Sequence, residues 1–240
     1  MGFIKRIIRK TIYGHKSTSN DFINHLRKIG CLIGEGVVFY SPTSTTVDET
    51  RPYLIEIGNN VQISRGVTIL THGFEWSVLK DIYGEVLGSS GRVKIGSNVF
   101  IGVNSTILKG VTIGDNVIIG ANSLINKDVP NGVVCAGNPC KIICTIDDYY
   151  KKRKMSQFNE AKQLVNSYRE RMGKEPKLDE LREFFWLFCD ANDNIPDAFK
   201  KVNQIGMNLE TTWEAFANNK KQFNNYQDFL ESTKDNDSRF

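Results

Sequence analysis

The chain has 240 residues, of which 40% are hydrophobic and 24% charged, and its formal net charge is +4. It contains no apolar run long enough to span a bilayer and no secretory signal pattern at its start, so we expect a soluble protein. The positive charge is too small and too dispersed to indicate nucleic-acid binding, although a mildly basic surface suits an anionic cofactor. The cysteines are five in number and show no CxxC spacing, which predicts unpaired thiols and a reducing, cytoplasmic location.

Residues 1–30 are predicted to be helical. The apolar face of the first helix would consist of Phe3, Ile4, Ile7, Ile8 and Ile12, opposite a basic face. We interpret these helices as an end cap for the region that follows, because a repeat domain needs capped ends. The alternative is a weak association of residues 1–13 with an anionic membrane surface.

Residues 31–146 contain two runs in which apolar side chains recur with a step of six, and the runs are out of phase with each other. Isoleucine occupies positions 95, 101, 107, 113, 119 and 125, and an earlier run with the same step contains Ile33, Phe39, Ile57, Ile63 and Ile69. A period of six fits neither an α-helix nor an alternating strand, and the scattered strands of a sandwich would not keep one step over so many positions. The period is typical of hexapeptide repeats, in which three strand-and-turn hexads form a triangular coil and coils stack ~4.8 Å apart. Turns such as "IGSN" at 95–98 and "IGDN" at 113–116 suit the corners.

The repeat is interrupted between Ile69 and Ile95. These residues are 26 positions apart, two more than four hexads, so the pattern resumes out of step. The change of phase supports an excursion from the coils, and the family resemblance described below implies a protruding loop at 71–94 with His72 at its start. Loops on a rigid scaffold often carry functional groups, whereas a lone histidine without such a context is usually a solvated surface residue.

Residues 147–240 are predicted to form a C-terminal helical extension. It begins with a charged amphipathic helix, "DDYYKKRKMSQFNEAKQLVNSYRERMG", followed by helical pieces at "LDELREFFWLFC", "PDAFKKVNQI" and "TTWEAFANN" and by a polar tail. End-capping, part of a substrate pocket and a partner surface remain equally open as roles for this region.

The segment "VKIGSNVFIGVNSTILKGVTIGDNVIIGANSLINKDVPNGVVCAGNPCKII" resembles the terminal coils of the hexapeptide-repeat acyltransferases. It is similar in particular to galactoside and maltose O-acetyltransferases and to relatives that acetylate capsular or exopolysaccharide sugars. The resemblance implies a mainly β fold, a left-handed parallel β-helix between N-terminal helices and the C-terminal helical extension. It also implies a homotrimer with active sites between subunits. The left-handed sense departs from the usual crossover rule and does not follow from periodicity.

The activity that the resemblance implies is acetyl transfer from acetyl-CoA to a sugar hydroxyl of a surface polysaccharide or its precursor. His72 stands where the family has its catalytic histidine, and an imidazole suits a general base for a hydroxyl. No serine-nucleophile or phosphate-loop motif is present, which favours direct transfer. The alternatives are N-acylation of an amino sugar and a non-catalytic scaffold.

For the acceptor, the resemblance places Asp48 or Glu49 where family members hold sugar hydroxyls. These acids would otherwise cap a turn or pair with Arg51. In the loop, Glu75 is close enough to His72 to orient it, although an acid from elsewhere is an alternative. Trp76 and Tyr83 suit a sugar platform, or else a clamp against a coil or a second subunit.

The family positions that contact coenzyme A correspond to Phe100, Gly102, Val103, Ala121, Asn126, Lys127 and Lys141. Phe100 replaces the usual tryptophan, and Val103 replaces a hydroxyl or small residue, which leaves backbone N–H groups as oxyanion donors there. Lys141 replaces an arginine and offers a point charge to phosphate, unless the lysines serve only solubility.

We expect no metal cofactor. Some proteins of this solenoid class resemble carbonic anhydrases that bind zinc through three coil histidines, whereas this chain has only His15, His25 and His72, two of them in the N-terminal helices. Cys140 and Cys144 are interpreted as small apolar residues at a repeat edge rather than as ligands.

Overall fold

The structure is a computed structural model that describes residues 3–191, 193, 195–203, 205–206 and 208–234, with the side chains of residues 3–7 and 203 left out. The predicted apolar face of the first helix therefore lies partly outside the described side chains, and the end of the predicted polar tail lies outside the described residues. The chain divides into two compact units, Met1–Tyr149 and Tyr150–Phe240.

Within the described residues, the α-helices are α1 (Phe3–Tyr13), α2 (Ser19–Ile29), α3 (Trp76–Tyr83), α4 (Ile146–Met172), α5 (Asp197–Asn203), α6 (Leu209–Ala217) and α7 (Tyr226–Ser232). The strands are β1 (Leu32–Ile33), β2 (Val38–Phe39), β3 (Thr46–Val47), β4 (Ile55–Ile57), β5 (Val61–Ile63), β6 (Thr68–Ile69), β7 (Val93–Ile95), β8 (Val99–Ile101), β9 (Thr106–Ile107), β10 (Thr112–Ile113), β11 (Val117–Ile119), β12 (Leu124–Ile125), β13 (Val133–Ala136) and β14 (Lys141–Thr145).

The strands form three sheets, which the chain visits in rotation. Their orders are β1-β4-β7-β10, β2-β5-β8-β11-β13-β14 and β3-β6-β9-β12. The pairings are parallel except for the β13–β14 hairpin. From β7 to β12, paired isoleucines such as Ile95↔Ile113 and Ile107↔Ile125 are eighteen positions apart, which is three of the predicted hexads.

The core of the first unit is the column of side chains that the hexad predicts. The isoleucines at 95, 101, 107, 113, 119 and 125 are at most 1% exposed. Each contributes on the order of 1.5–3 kcal/mol through burial. Ser105 and Ser123 are buried in the same coils, and their hydroxyls donate to the carbonyl of Gly120, at 3.0 and 2.7 Å. The buried hydroxyls are thereby satisfied.

Asparagines occupy left-handed corners between strands. Their φ angles lie between 53° and 58° at Asn60, Asn98, Asn104, Asn116 and Asn122. Asparagine tolerates this region better than other side chains. Neighbouring coils are linked at one corner because the Asn60 amide donates to Asn98 (3.0 Å) and the Asn98 amide to Asn116 (2.7 Å).

Helix α2 covers the first coil. Its N-cap Thr18 accepts a hydrogen bond from the backbone of Asp21, and Phe22, Ile23 and Leu26 belong to the same buried cluster as the coil isoleucines. Helix α2 therefore packs against the first coil, and its role as an end cap stays a prediction. Ile12 of α1 is 66% exposed. No helix among the described residues combines the length and apolar character needed to cross a bilayer.

The cysteine prediction was wrong at one place. A disulfide joins Cys135, on β13, to Cys140, just before β14. The hairpin brings these residues together across five positions, a contact that neither an odd cysteine count nor a CxxC search reveals.

The second unit has its own aromatic core. Phe185 stacks on Phe199 with ring centroids 4.5 Å apart, and Phe216 and Phe229 are fully buried. The long helix predicted from residue 147 is present as α4, and α5 and α6 lie at two of the predicted pieces. The piece "LDELREFFWLFC" forms short 3-10 helices, Leu178–Leu181 and Phe185–Leu187, instead of an α-helix. Tertiary packing explains the difference, because Phe185, Leu187 and Phe188 are nearly adjacent in sequence and are all buried.

Candidate active site

His72 lies at the neck of the excursion that interrupts the coils. It follows β6 by three residues and forms an antiparallel bridge with Ser90 on the returning chain. Backbone hydrogen bonds from Gly73 to Ser89 (3.3 Å) and from Gly91 to Thr71 (2.8 Å) close the base of the loop. The imidazole is therefore carried by a short ladder rather than by a free loop.

Asp48 holds the ring of His72. It directly follows β3, which pairs with β6, and this register brings the carboxylate beside the neck of the loop. Its Oδ2 lies 2.5 Å from Nδ1 of His72, and the two side chains are only 4% and 17% exposed. Because an ionised carboxylate can only accept, this contact places the proton on Nδ1 and leaves Nε2 of a neutral ring as an acceptor.

Threonine hydroxyls complete the surroundings of this carboxylate. Oδ2 also accepts from the buried hydroxyl of Thr71, and Oδ1 accepts from the backbone (3.0 Å) and hydroxyl (2.6 Å) of Thr50. Burial by itself raises the pKa of Asp48, but the hydrogen bonds from Thr50, Thr71 and His72 outweigh it and hold the pKa well below its usual range. The carboxylate is thus kept ionised. The bond to the Thr50 backbone also matches the turn-capping role weighed for this residue.

The other two acids proposed from the sequence, Glu49 for the acceptor and Glu75 for orienting His72, bond to other residues. Oε2 of Glu49 lies 2.8 Å from Nε2 of His25, so Glu49 bonds to a different histidine from the one that Asp48 contacts. Glu75 accepts from Lys109, and this hydrogen bond lowers the pKa of Glu75 to about 2. The acid in contact with His72 is Asp48. Of the two alternatives for orienting the ring, Glu75 or an acid from elsewhere in the sequence, the structure therefore has the second.

The aromatic residues of the loop are only partly brought to His72. The ring of Phe74, which is 68% exposed, meets His72 edge-on at 5.3 Å, and Trp76 tilts against Phe74 at 6.0 Å. Tyr83 is at the other end of α3, seven positions or ~10 Å along the helix from Trp76, and is 70% exposed.

Gly102, Val103 and Ala121 lie together at one corner of the coils, and Phe100 lies on β8, the strand that leads into this corner. Phe100 points outward from β8, is 42% exposed and lines a cavity of about 300 Å³. A Cβ at Gly102 would lie 2.5 Å from the backbone nitrogen of Ala121, so only glycine fits there. The N–H of Asn122 donates to the carbonyl of Val103 at 2.8 Å.

This corner is not the corner of His72. The chain passes from β8 through Gly102 and Val103 to β9, and His72 follows β6, the neighbour of β9, at the next corner. Asn126 and Lys127 follow β12, which belongs to the same sheet as β6, so they lie in the same row of corners as His72. Both are exposed, and they lie about two coils, or ~10 Å, from the level of His72. Lys141 is close to this row, because the N–H of Cys140 donates to the carbonyl of Leu124 at 2.8 Å.

The larger described cavity, about 870 Å³, lies in the second unit and contains none of the predicted site residues. Its lining includes Trp186, Arg153 and Lys154. We place the candidate site at His72 instead, because the buried carboxylate and its aligned imidazole are chemically specific and a cavity alone is not.

Sequence reasoning missed Thr50 and Thr71. The available signal was their position, each beside a predicted polar site residue in "VDET" and "THG". Their roles depend on the pairing of β3 with β6, which a single sequence does not state.

Comparison with known proteins identifies the same hexapeptide repeat. The family model for bacterial transferase hexapeptide (six repeats) matches residues 92–127. Protein CapG of Staphylococcus aureus is 46% identical over 154 residues, which cover 60% of this chain and 88% of CapG. Galactoside O-acetyltransferase of Escherichia coli (strain K12) is 39% identical over 127 residues, 51% of this chain and 61% of that enzyme.

Among solved structures, a maltose O-acetyltransferase from Clostridium difficile 630 is 26% identical and matches 59% of this chain and 84% of its own, with a TM-score of 0.39. The sequence matches, which extend over most of CapG and include the hexapeptide model, confirm the resemblance read from the repeats. The chain belongs to the hexapeptide-repeat acyltransferases.

Proposed function

We propose that the protein transfers an acetyl group from acetyl-CoA to a hydroxyl of a sugar in a surface polysaccharide or its precursor. The observation that carries this proposal is the contact between the buried Asp48 carboxylate and His72 at the neck of the loop. The names of CapG and of galactoside O-acetyltransferase support the choice of a capsular or sugar acceptor.

In the proposed mechanism, Nε2 of His72 accepts the proton of the sugar hydroxyl while the oxygen attacks the thioester carbonyl. The tetrahedral intermediate then collapses, the carbon–sulfur bond breaks, and the imidazolium returns the proton to the thiolate of coenzyme A. General-base assistance of this kind contributes ~10²–10⁴ in rate. No covalent acyl-enzyme is required.

Asp48 is a positioning residue in this scheme. By accepting from Nδ1 it fixes the tautomer and the ring plane, and it stabilises the imidazolium that forms during transfer. Phe74 meets the ring edge-on. The acceptor would then approach from the loop side, past Phe74 and Trp76.

We propose that the donor lies between copies of the chain. Gly102 and Val103 are at a different corner of the coil from His72, and Phe100 is on the strand before them, so one copy does not bring these residues to the imidazole. A homotrimer of left-handed β-helices would place this corner of one subunit against the His72 corner of its neighbour. Asn126, Lys127 and Lys141 would contribute positive charge and polar groups toward the phosphates.

The three segments have separate proposed roles. Residues 1–30 cap the first coil, residues 31–146 form the catalytic β-helix with the loop at 71–94, and residues 147–240 form a helical extension. We place the enzyme in the cytoplasm, where acetyl-CoA is supplied.

The test is thiol release from acetyl-CoA with a panel of monosaccharides, nucleotide sugars and capsular oligosaccharides. At least one acceptor should give release together with an alkali-labile ester in the product. An alkali-stable product would indicate N-acylation instead of O-acetylation. The proposal would be contradicted if no acceptor gave thiol release and calorimetry showed no binding of acetyl-CoA.

Asp48→Asn tests the positioning role separately. It should lower kcat while leaving the KM for acetyl-CoA unchanged, because Asp48 touches the imidazole and not the predicted donor residues. A higher KM for acetyl-CoA together with an unchanged kcat would contradict this role.

A further inference from the structure

A second histidine cluster lies outside the proposed catalytic pair. His15 comes from the 3-10 helix Gly14–Lys16, His25 from α2, and Glu49 from the residue after Asp48. Nε2 of His25 is 2.8 Å from one carboxylate oxygen of Glu49, and Nε2 of His15 is 3.7 Å from the other. Each of the three side chains has a ligand atom within 4.8 Å of those of the other two.

The two imidazoles stack face to face. Their ring centroids are 3.8 Å apart and their planes differ by 16°, so both Nε2 atoms are presented to the same carboxylate. A hydrogen bond accounts for the His25 contact alone, since 3.7 Å is too long for one at His15. A cation shared by the two nitrogens and the carboxylate would use both contacts.

The residue types match a known ligand set. Two histidines and a glutamate form one of the three-ligand sets that bind Zn²⁺ and leave a further position for water. Zn–N and Zn–O distances of about 2.0–2.2 Å require ligand atoms roughly 3.3 Å apart, so separations that are within 4.8 Å here must close by at most about 1.5 Å. Side-chain rotation can supply this movement, because the three side chains are 42%, 25% and 32% exposed.

The surroundings are compatible with a bound cation. The nearest basic neighbour in sequence, Lys16, is directed elsewhere, since its Nζ donates to the carbonyl of Thr45 at 3.0 Å. The fully buried ring of Phe22 stacks against that of His15 with the ring centroids 6.0 Å apart, and this contact helps to position the histidine.

We propose that His15, His25 and Glu49 form a Zn²⁺ site that fastens the N-terminal helices to the coil carrying Asp48. The histidine count excluded zinc only for ligands on the coils, and folding brings two helix histidines to a coil carboxylate. This site is independent of the proposed acetyl transfer.

The test uses the full chain after treatment with a chelator. Calorimetric titration with ZnCl₂ should show one ion per chain, and Co²⁺ should give the absorption bands of a nitrogen and oxygen site without a thiolate charge-transfer band. Glu49→Gln and His25→Asn should each weaken binding by about tenfold or more, since losing even an outer-shell partner costs 10–100-fold. Zn²⁺ should also raise the Tm of the wild type and not of the variants.

His72→Ala is the matched control, because it removes the other histidine–carboxylate pair. It should bind Zn²⁺ like the wild type. Absence of binding to the wild type, undiminished binding by Glu49→Gln, loss of binding in His72→Ala or a thiolate band with Co²⁺ would each overturn the proposal.

Discussion

Each of the two units of the chain is stabilised by its own core, and the two cores are of different kinds. In Met1–Tyr149, small β-branched side chains recur in identical surroundings, one coil after another. In Tyr150–Phe240, a few aromatic rings such as Phe185, Phe199 and Phe216 meet in surroundings that never repeat. A repeated core shows its plan in the sequence, and any break in it stands out. An aperiodic core shows neither.

The largest effect on stability should come from the aromatic core. Phe199→Ala should lower the free energy of unfolding by about 3–5 kcal/mol, and Ile107→Ala by about 2–5 kcal/mol, because both side chains are fully buried. Denaturant unfolding followed separately for each unit by amide exchange measures both. If either variant destabilised the two units equally, the division into separate cores would be wrong.

A glycine between coils gives the next largest effect. Gly102→Ala places a methyl group 2.5 Å from the nitrogen of Ala121 and should cost about 1–3 kcal/mol, as overpacking does. Gly88→Ala, in the loop, is the control, since a Cβ there meets no atom within 4 Å. Equal Tm values for the two variants would show that the coils are not packed this tightly.

A corner asparagine should matter less. Asn98→Ala keeps a left-handed φ of 56° without the amide ladder and should cost about 1–2 kcal/mol. Asn98→Gly removes the same side chain but tolerates the backbone, so it should recover part of the loss. Thermal unfolding of the two variants separates backbone strain from the ladder, and identical losses would assign the whole effect to the ladder.

The smallest effect is expected at the loop surface. The hydrogen bond from Lys109 lowers the pKa of the exposed Glu75 to about 2, so the contact persists at neutral pH and is lost only as the pH falls through about 2. Glu75→Gln should speed amide exchange in residues 74–89 and leave the Tm nearly unchanged. Exchange that matches the wild type would mean that the pair does not anchor the loop.

The sequence allowed the stacking of parallel strands in the first unit to be predicted, because the hexad that places Ile95 also places Ile113 one coil later. It did not allow the handedness of the coils to be derived. In the second unit, α4 was predictable from its charge pattern. The 3-10 segments around Phe185 were not, since their backbone follows from the partners that the rings meet.

The candidate site divides in a similar way. His72 was proposed because it matches the family's catalytic histidine and stands where the period fails, and Asp48 was among the proposed acids. The contact between them, and the hydroxyls of Thr50 and Thr71, depend on the register of β3 against β6, which short strands do not reveal in one sequence. The histidines at 15 and 25 were placed in helices, and their approach to Glu49 required the tertiary fold.

The most direct test of the central claim is the kcat of His72→Ala with the acceptor identified by thiol release. We expect a fall of ~10²–10⁴ with the Tm, the oligomeric state and the Kd for acetyl-CoA unchanged, because the imidazole lies at the loop neck and outside both cores. A kcat equal to that of the wild type would contradict the assignment of His72 as the base.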